Sequence, residues 1–330
     1  MKPISLTGIK PTGKPHIGNY LGMYRPALDL MKKYQGMYFV ADYHALTTMH
    51  DPETLKELVY EVAASWLALG LDPDEAIFFR QSDVPEIPEF TWILSCFTSK
   101  GLLNRAHAYK ASVDENLALG RDPDEGINAG LYNYPVLMAA DILMYGSDVV
   151  PVGLDQKQHI EITRDIAEAF NRTYGPVLKV PEGIIQDSVM KIPGVDGQKM
   201  SKSYNNTIPI FAPESEVKKQ VMRIVTDSKR PEDPKDPDDN TLFTLLSFFV
   251  SAERLEQIKR LFIHGGAAYG ELKKELAVTI LTHFTEARDR YTALMNDRAY
   301  IDKVLQEGAR KAREMGQPYL SAARKATGID

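Results

Sequence analysis

Apolar positions in the first half of this chain fall into short unbroken runs that alternate with stripes spaced three and four residues apart. Ile4 to Ile9, Met37 to Leu46, Ala76 to Arg80 and Val149 to Val152 are such runs, and they predict strands buried on both faces, as in a parallel sheet. Between them lie helical patterns at Tyr20 to Tyr34, Pro52 to Leu69, Pro88 to Ser99, Leu131 to Tyr145 and Gln156 to Tyr174. The helix after Asp51 has an N-cap, Pro52 at its first position, an acidic first turn and Gly70 as its stop. Its stripe of Leu55, Leu58, Val62, Ala63, Trp66 and Leu69 faces a core. Strand, helix, strand, helix, strand implies right-handed crossovers and an α/β, doubly wound, Rossmann-like sheet with ligands beyond the carboxyl ends of the strands. Gly101 to Ile127 is polar and loop-like, and Ser188 to Asn206 is irregular. Past Pro213 the pattern is helical at 214–226, 240–250, 253–263, 269–296, 298–314 and 317–327, interrupted by an aperiodic, exposed loop at 230–239. The expected division is a nucleotide-binding domain over 1–212 and an all-α region over 213–330.

Composition narrows the setting. No apolar run approaches the ~20 residues of a bilayer span, and the first strand starts too early for a signal peptide, so a cytoplasmic protein is expected. The one cysteine, Cys96, sits in the apolar run Trp92 to Phe97 and is expected to be a buried structural thiol; no structural metal is expected. A net charge of −6 argues against indiscriminate coating of nucleic acid. The tail from Lys303 to Asp330 is nonetheless net positive, and reads as a solvated helix face or, less readily, as a nucleic-acid patch.

Two stretches carry chemistry. Pro11 to Asn19, PTGKPHIGN, turns from the first strand into a helix and gathers backbone N–H groups and a helix dipole at one point, which suits phosphate. His16 and Asn19, three apart, can face the same anion, although such a turn is as often ordinary. Far along the chain, Lys199-Met200-Ser201-Lys202-Ser203 places two lysines and two hydroxyls on a segment loosened by Gly194 and Gly197. That set suits a polyphosphate whose charge grows during transfer. A second strand–Gly–helix junction, Gly153-Leu154-Asp155-Gln156, repeats the geometry of the first.

HIGN at 16–19 and KMSKS at 199–203 resemble the two signatures of class I aminoacyl-tRNA synthetases. GLYNYPVLMAADILMY and VVPVGLDQKQHIEITRDIAEAFN narrow the resemblance to the bacterial-type tryptophanyl-tRNA synthetases, over essentially the whole chain. The resemblance implies a tryptophan–tRNA ligase. ATP and L-tryptophan give tryptophanyl-adenylate and pyrophosphate, and the acyl group then passes to the 3′ end of tRNA(Trp). It also implies a homodimer, neither membrane nor DNA as partner, an anticodon-reading helical region, and Mg²⁺ carried on the ATP phosphates.

By the same resemblance His16, Asn19, Lys199 and Lys202 act in catalysis. ATP is held by Lys10, Pro11, Thr12, Gly18, Asn19, Gly153, Leu154, Asp155, Val189, Lys199, Met200, Ser201, Lys202 and Ser203. Tryptophan is held by Asp141, Met138, Gln156, Leu6, Val150 and Val152, with His44 and Tyr132 near the same cleft. His50, His159 and His283 are expected to be structural or exposed, and Lys110 either reaches phosphate or is merely exposed. The chemical reading beside it is that an indole has one polar handle, an N–H, so its site needs an acceptor such as the Asp141 carboxylate. Such a site rejects phenylalanine by roughly 10⁴-fold. Asp141 would serve equally as a hydrogen-bonded buried carboxylate, and Met138 and the valines as plain core. Asn19 stands where the class often has His, and Leu154 where relatives often have a polar residue. The competing readings are the tyrosine-specific sister enzyme, a nucleotidyltransferase without tRNA, and a non-catalytic paralogue.

Overall fold

The computed structural model describes residues 2–153, 156–185 and 192–329. Leu154, Asp155 and Val189, together with the first residues of the irregular stretch from Ser188, lie outside the described residues. The four expected strands are β1 (Ile4–Ile9), β2 (Gln35–Val40), β3 (Ile77–Arg80) and β4 (Val149–Val152). A fifth, β5 (Glu182–Ile185), reads EGII and opens on Glu and Gly, so no unbroken apolar run marks it in the sequence. They form a parallel sheet in the order β3-β2-β1-β4-β5, with Leu6 beside Met37 and Ser5 beside Val149. The order reverses between β1 and β4, so the crevice at their carboxyl ends is the expected ligand site.

Helices cover both faces. On one face α4 (Pro52–Ala68), capped by the Asp51 carboxylate on Thr54 N–H, buries Trp66 against Tyr24 and Tyr38. On the other, α5 (Glu86–Ser95), α8 (Ala129–Leu143) and α9 (Lys157–Tyr174) pack on Leu6, Met37, Phe39 and Phe79. A third core lies among α10 (Glu214–Met222), α11 (Thr241–Ser247), α12 (Ala252–His264) and α13 (Tyr269–His283), and it takes in Ile17 and Met200.

Several expectations change here. The second strand ends at Val40, because the Asp42 carboxylate accepts Tyr43 N–H, Ser82 N–H and Ser82 O–H and turns the chain into α3 (Asp42–Ala45). The stretch 101–127 is largely helical, in α6 (Lys100–Leu103) and α7 (His107–Ala118). The first is a single turn and the second is polar nearly all round, so no stripe marks them; Asn116 ties the second to the carbonyls of Pro123 and Glu125. The 269–296 pattern breaks after α13, where Phe284 turns inward against Tyr20, and resumes as α14 (Thr285–Asn296). Conversely 298–327 is one helix, α15 (Arg298–Thr327), running through Pro318. Its packing overrides the missing N–H: Ile301 and Leu305 enter one sheet-face core, and Ala309, Ala312, Leu320 and Ala323 enter the other.

Cys96 is exposed rather than buried. It closes α5 on the outward side with Trp92, itself 72% exposed, while Ile93 and Leu94 point inward. The 230–239 loop is exposed for most of its length but folded about Lys235, which is buried and donates to the carbonyls of Arg230, Pro231 and Asp233. Much of the basic tail is spoken for: Arg310 pairs with Glu307 and Glu314, Arg313 with Glu86, and Arg324 with Glu89.

Candidate active site

Two cavities adjoin the carboxyl ends of β1 and β4. The first, about 450 Å³, is lined by Leu6, Lys10, His44, Met138, Asp141 and Val150 among others. Tyr134, Met138 and Asp141 follow one another at helical spacing along α8, and all three reach it. Asp141 is 1% exposed. Its Oδ2 lies 2.9 Å from His44 Nε2, and both its oxygens accept from Gln81 Nε2 at 2.8 Å. Burial pushes the carboxyl upward, and the bonds and charge of His44, then the bond from Gln81, draw it back. The wall is completed by Gln156, whose Oε1 is 2.7 Å from His159 Nδ1, and by Tyr134, whose hydroxyl is 2.5 Å from His159 Nε2.

The second cavity, about 320 Å³, is lined by Thr7, Gly18, Asn19, Val152, Gly153 and Lys199 among others. Asn19 lines it, and His16, beside it, forms a reciprocal cap with Asn19. Asn19 N–H donates to His16 Nδ1 at 3.3 Å, and His16 N–H donates to Asn19 Oδ1 at 3.1 Å. Because Nδ1 accepts, a neutral imidazole carries its hydrogen on Nε2 and is a donor there. Burial, and then the Lys202 charge, lower His16 to about 4, so it is neutral at physiological pH. A Cβ on Gly18 would stand 3.0 Å from the His16 ring and 3.2 Å from Met200 Cβ, so any side chain there would press on both signatures.

The second signature is seated on the first. Ile17 N–H donates to Ile208 O and Gly18 N–H to Met200 Sδ, while Lys202 Nζ donates to Thr12 O at 2.7 Å. Asn206, buried at 1%, shapes this loop: its Oδ1 accepts Ser201 N–H, and its Nδ2 donates to Lys199 O and Asp196 Oδ1.

The structure thus gathers Leu6, Met138, Asp141, Val150 and Gln156 around the first cavity, and Gly18, Asn19, Gly153 and Lys199 around the second. Val152 lines the second cavity rather than the first. Lys10 reaches the first, donating to the hydroxyls of Thr47 and Thr48, and burial lowers its pKa. Pro11 is buried, Thr12 offers its carbonyl to Lys202, and Met200 faces a core, not either cavity. Ser201 is half-buried and Ser203 exposed. Tyr132 turns away, donating to Lys100 O and Asn104 Oδ1. Lys110 is exposed on α7. His159, expected to be structural or exposed, is buried in the wall of the first cavity. Gln81, Tyr134 and Asn206 escaped the sequence reading. Gln81 follows a buried strand at its carboxyl end, and Tyr134 stands one turn before Met138; both were usable signals.

A neutral His16 gives a test. Its unfolded imidazole takes a proton near the ordinary 6.5, the folded one only near 4. Between those values the unfolded state binds more protons, so stability is full above about 6.5 and falls with pH by roughly 3 kcal/mol from this group. Urea melts at pH 7.5 and pH 5 should show a smaller drop for His16→Gln than for the native chain.

A doubly wound parallel sheet whose two signatures meet, beside a separate cavity with one buried carboxylate, is the arrangement of a class I amino-acid-activating enzyme. The model of the family described as tRNA synthetases class I (W and Y) matches residues 2–288, and the chain belongs to that family. It is 50% identical to the tryptophan–tRNA ligase of Pseudomonas aeruginosa, over 98% of this chain and 73% of that protein. It is 48% identical to that of Rhodopirellula baltica, over 98% and 99% respectively. The tryptophanyl-tRNA synthetase of Campylobacter jejuni, solved with ADP and tryptophan, superposes with a TM-score of 0.91 at 42% identity, covering 98% of this chain and 99% of that one.

Proposed function

We propose that this chain is a tryptophan–tRNA ligase in which the first cavity takes L-tryptophan and the second, with the lysine loop above it, takes ATP. The observation that carries the reading is the buried Asp141 carboxylate in the wall of a cavity of about 450 Å³. It is an acceptor-only group at the depth an indole N–H would reach. The tryptophan carboxylate oxygen forms a bond to the α-phosphorus, the bond to the bridging oxygen breaks, and pyrophosphate leaves. The ribose hydroxyl of the tRNA 3′ end then takes the acyl group and AMP departs. Neither step needs a protein nucleophile, so positioning and charge stabilisation carry the catalysis.

His16 Nε2–H, Asn19, Lys199 and Lys202 hold the phosphates, Gly18 lets adenine lie against backbone, and Gly153 with Asp155 takes the ribose. Among the described residues lining the second cavity there is no carboxylate. That donor set fits a Mg²⁺ ion held by the phosphates themselves. The reading includes a homodimer, for which the exposed Trp92 and Cys96 offer an apolar face. It also includes residues 213–330 as the region that meets the tRNA anticodon, and the cytoplasm as the place of action. No helix among the described residues is long and apolar enough to cross a membrane.

Amino-acid-dependent exchange between ATP and pyrophosphate tests the assignment. Tryptophan should drive exchange, and tyrosine and phenylalanine should not; exchange driven by tyrosine alone would refute it. In the same assay Asp141→Asn should raise the tryptophan KM about tenfold or more, as loss of a charged acceptor implies, and narrow the margin over phenylalanine. Unchanged selectivity would remove Asp141 from the indole contact.

A further inference from the structure

Behind Asp141 stands a side chain that lines neither cavity. Gln81, immediately after β3, is 0% exposed, and its Nε2 lies 2.8 Å from each oxygen of the Asp141 carboxylate. Its Oε1 accepts Tyr43 N–H at 3.1 Å, which fixes the amide: turned over, it would set its oxygen against the carboxylate. Tyr43 N–H is itself held by Asp42 Oδ1 at 3.1 Å, and Asp42 is anchored by the N–H and hydroxyl of Ser82. The support therefore runs through the backbone on both sides of Gln81.

We propose that Gln81 is a positioning residue for amino-acid choice, fixing the plane of the Asp141 carboxylate so that a lone pair on Oδ1 stays open toward the cavity for the ligand's N–H. The proposal rests on the tryptophan reading of the first cavity. A carboxylate has about four acceptor sites. Oδ2 faces both His44 and Gln81, whereas Oδ1 faces Gln81 alone, so the unused site is on Oδ1. His44 touches one oxygen and leaves the group free to swing about its bond; a donor touching both oxygens does not. An uncharged donor also orients the carboxylate without neutralising it, so the acceptor keeps its strength for the ligand.

Gln81→Met removes the donor at nearly constant volume, and Gln81→Asn draws it back by one methylene. The exchange assay is run with tryptophan and with the analogue in which sulfur replaces the indole N–H, benzothienylalanine. Both variants should show a tryptophan KM raised about tenfold, an ATP KM within about twofold of native, and a preference for tryptophan over the sulfur analogue reduced about tenfold, the scale of one hydrogen bond to a charged group. A folded variant that keeps the native preference overturns the proposal. So does equal loss for both amino acids, or loss of the fold in both variants, since each makes Gln81 structural only. Asp141→Asn is assayed alongside. If it loses the preference while the Gln81 variants keep it, only the role of Gln81 falls. If tryptophan drives no exchange in the native protein, the reading of the cavity falls instead.

Discussion

Lys202→Ala should slow adenylate formation by about 10²- to 10³-fold, the scale seen when one preorganised donor to developing charge is removed, and leave tryptophan binding nearly unchanged. The Lys202 ammonium sits 2.7 Å from the Thr12 carbonyl, bridging the two signatures. Burial lowers its pKa, and the Glu61 charge opposes that fall. Its present partner is one neutral carbonyl. Three phosphates would replace that partner with charge that grows at the bridging oxygen as the bond breaks, so the attraction is greater in the transition state than in the bound substrate. The first cavity, proposed for tryptophan, does not include Lys202. Single-turnover adenylate formation and equilibrium tryptophan binding separate the two effects, and a parallel loss in tryptophan affinity would contradict the assignment.

Gly308→Ala should be the most damaging single methyl in the C-terminal helix. α15 crosses the open edge of β3 at this glycine, and a Cβ there would lie 1.7 Å from the Phe78 carbonyl oxygen and 2.4 Å from its carbon. Both neighbours are backbone, so neither a rotamer change nor a small side-chain shift relieves the clash. The helix must lift away, and Ile301, Leu305, Ala309 and Ala312 on either side lose their contacts with both sheet faces. A loss on the order of 3 kcal/mol or more is expected, the upper range for overpacking. Thermal melts of Gly308→Ala and of Gly270→Ala, where a Cβ meets nothing within 4 Å, give the contrast. Equal melting temperatures would show that the helix does not bear on the sheet edge.

The parts of the fold that were legible in the sequence are those dictated by one-dimensional period. Buried parallel strands read as unbroken apolar runs, and α4 and α9 announce themselves by stripe and by caps at Asp51 and Gly175. What escaped depends on contacts distant in sequence. Pro318 reads as a helix end, yet the flanking Ala312, Leu320 and Ala323 are held in the sheet core and carry the helix through. Lys235 reads as solvated, yet three carbonyls and the Tyr269 ring enclose it. Of the site, the two signatures were legible because their chemistry is unusual at their spacing, and Asp141 only through the family resemblance those signatures carry. Gln81 and Asn206 were not read: the place of Gln81 at a strand end marks a candidate, but a support residue is identified by what it touches. Lys10, expected with ATP, borders the first cavity and Val152, expected with tryptophan, the second: the run of residue types does not tell which way a side chain at a strand end turns.

The crossing of β3 by α15 also bears on how the chain is made. Arg313 reaches back to Glu86, 227 residues earlier, and Arg324 to Glu89, 235 residues earlier. During synthesis the sheet can assemble while its β3 border still presents unpaired backbone groups to the surroundings, because the covering helix follows more than two hundred residues later. An uncovered strand border is a template for joining to another chain. A ribosome halted before residue 308 would release a product with a complete pair of signatures and an unguarded margin. α15 is therefore a closing clasp on the sheet, and its loss is expected to show in the yield of soluble protein rather than in the rate of the reaction.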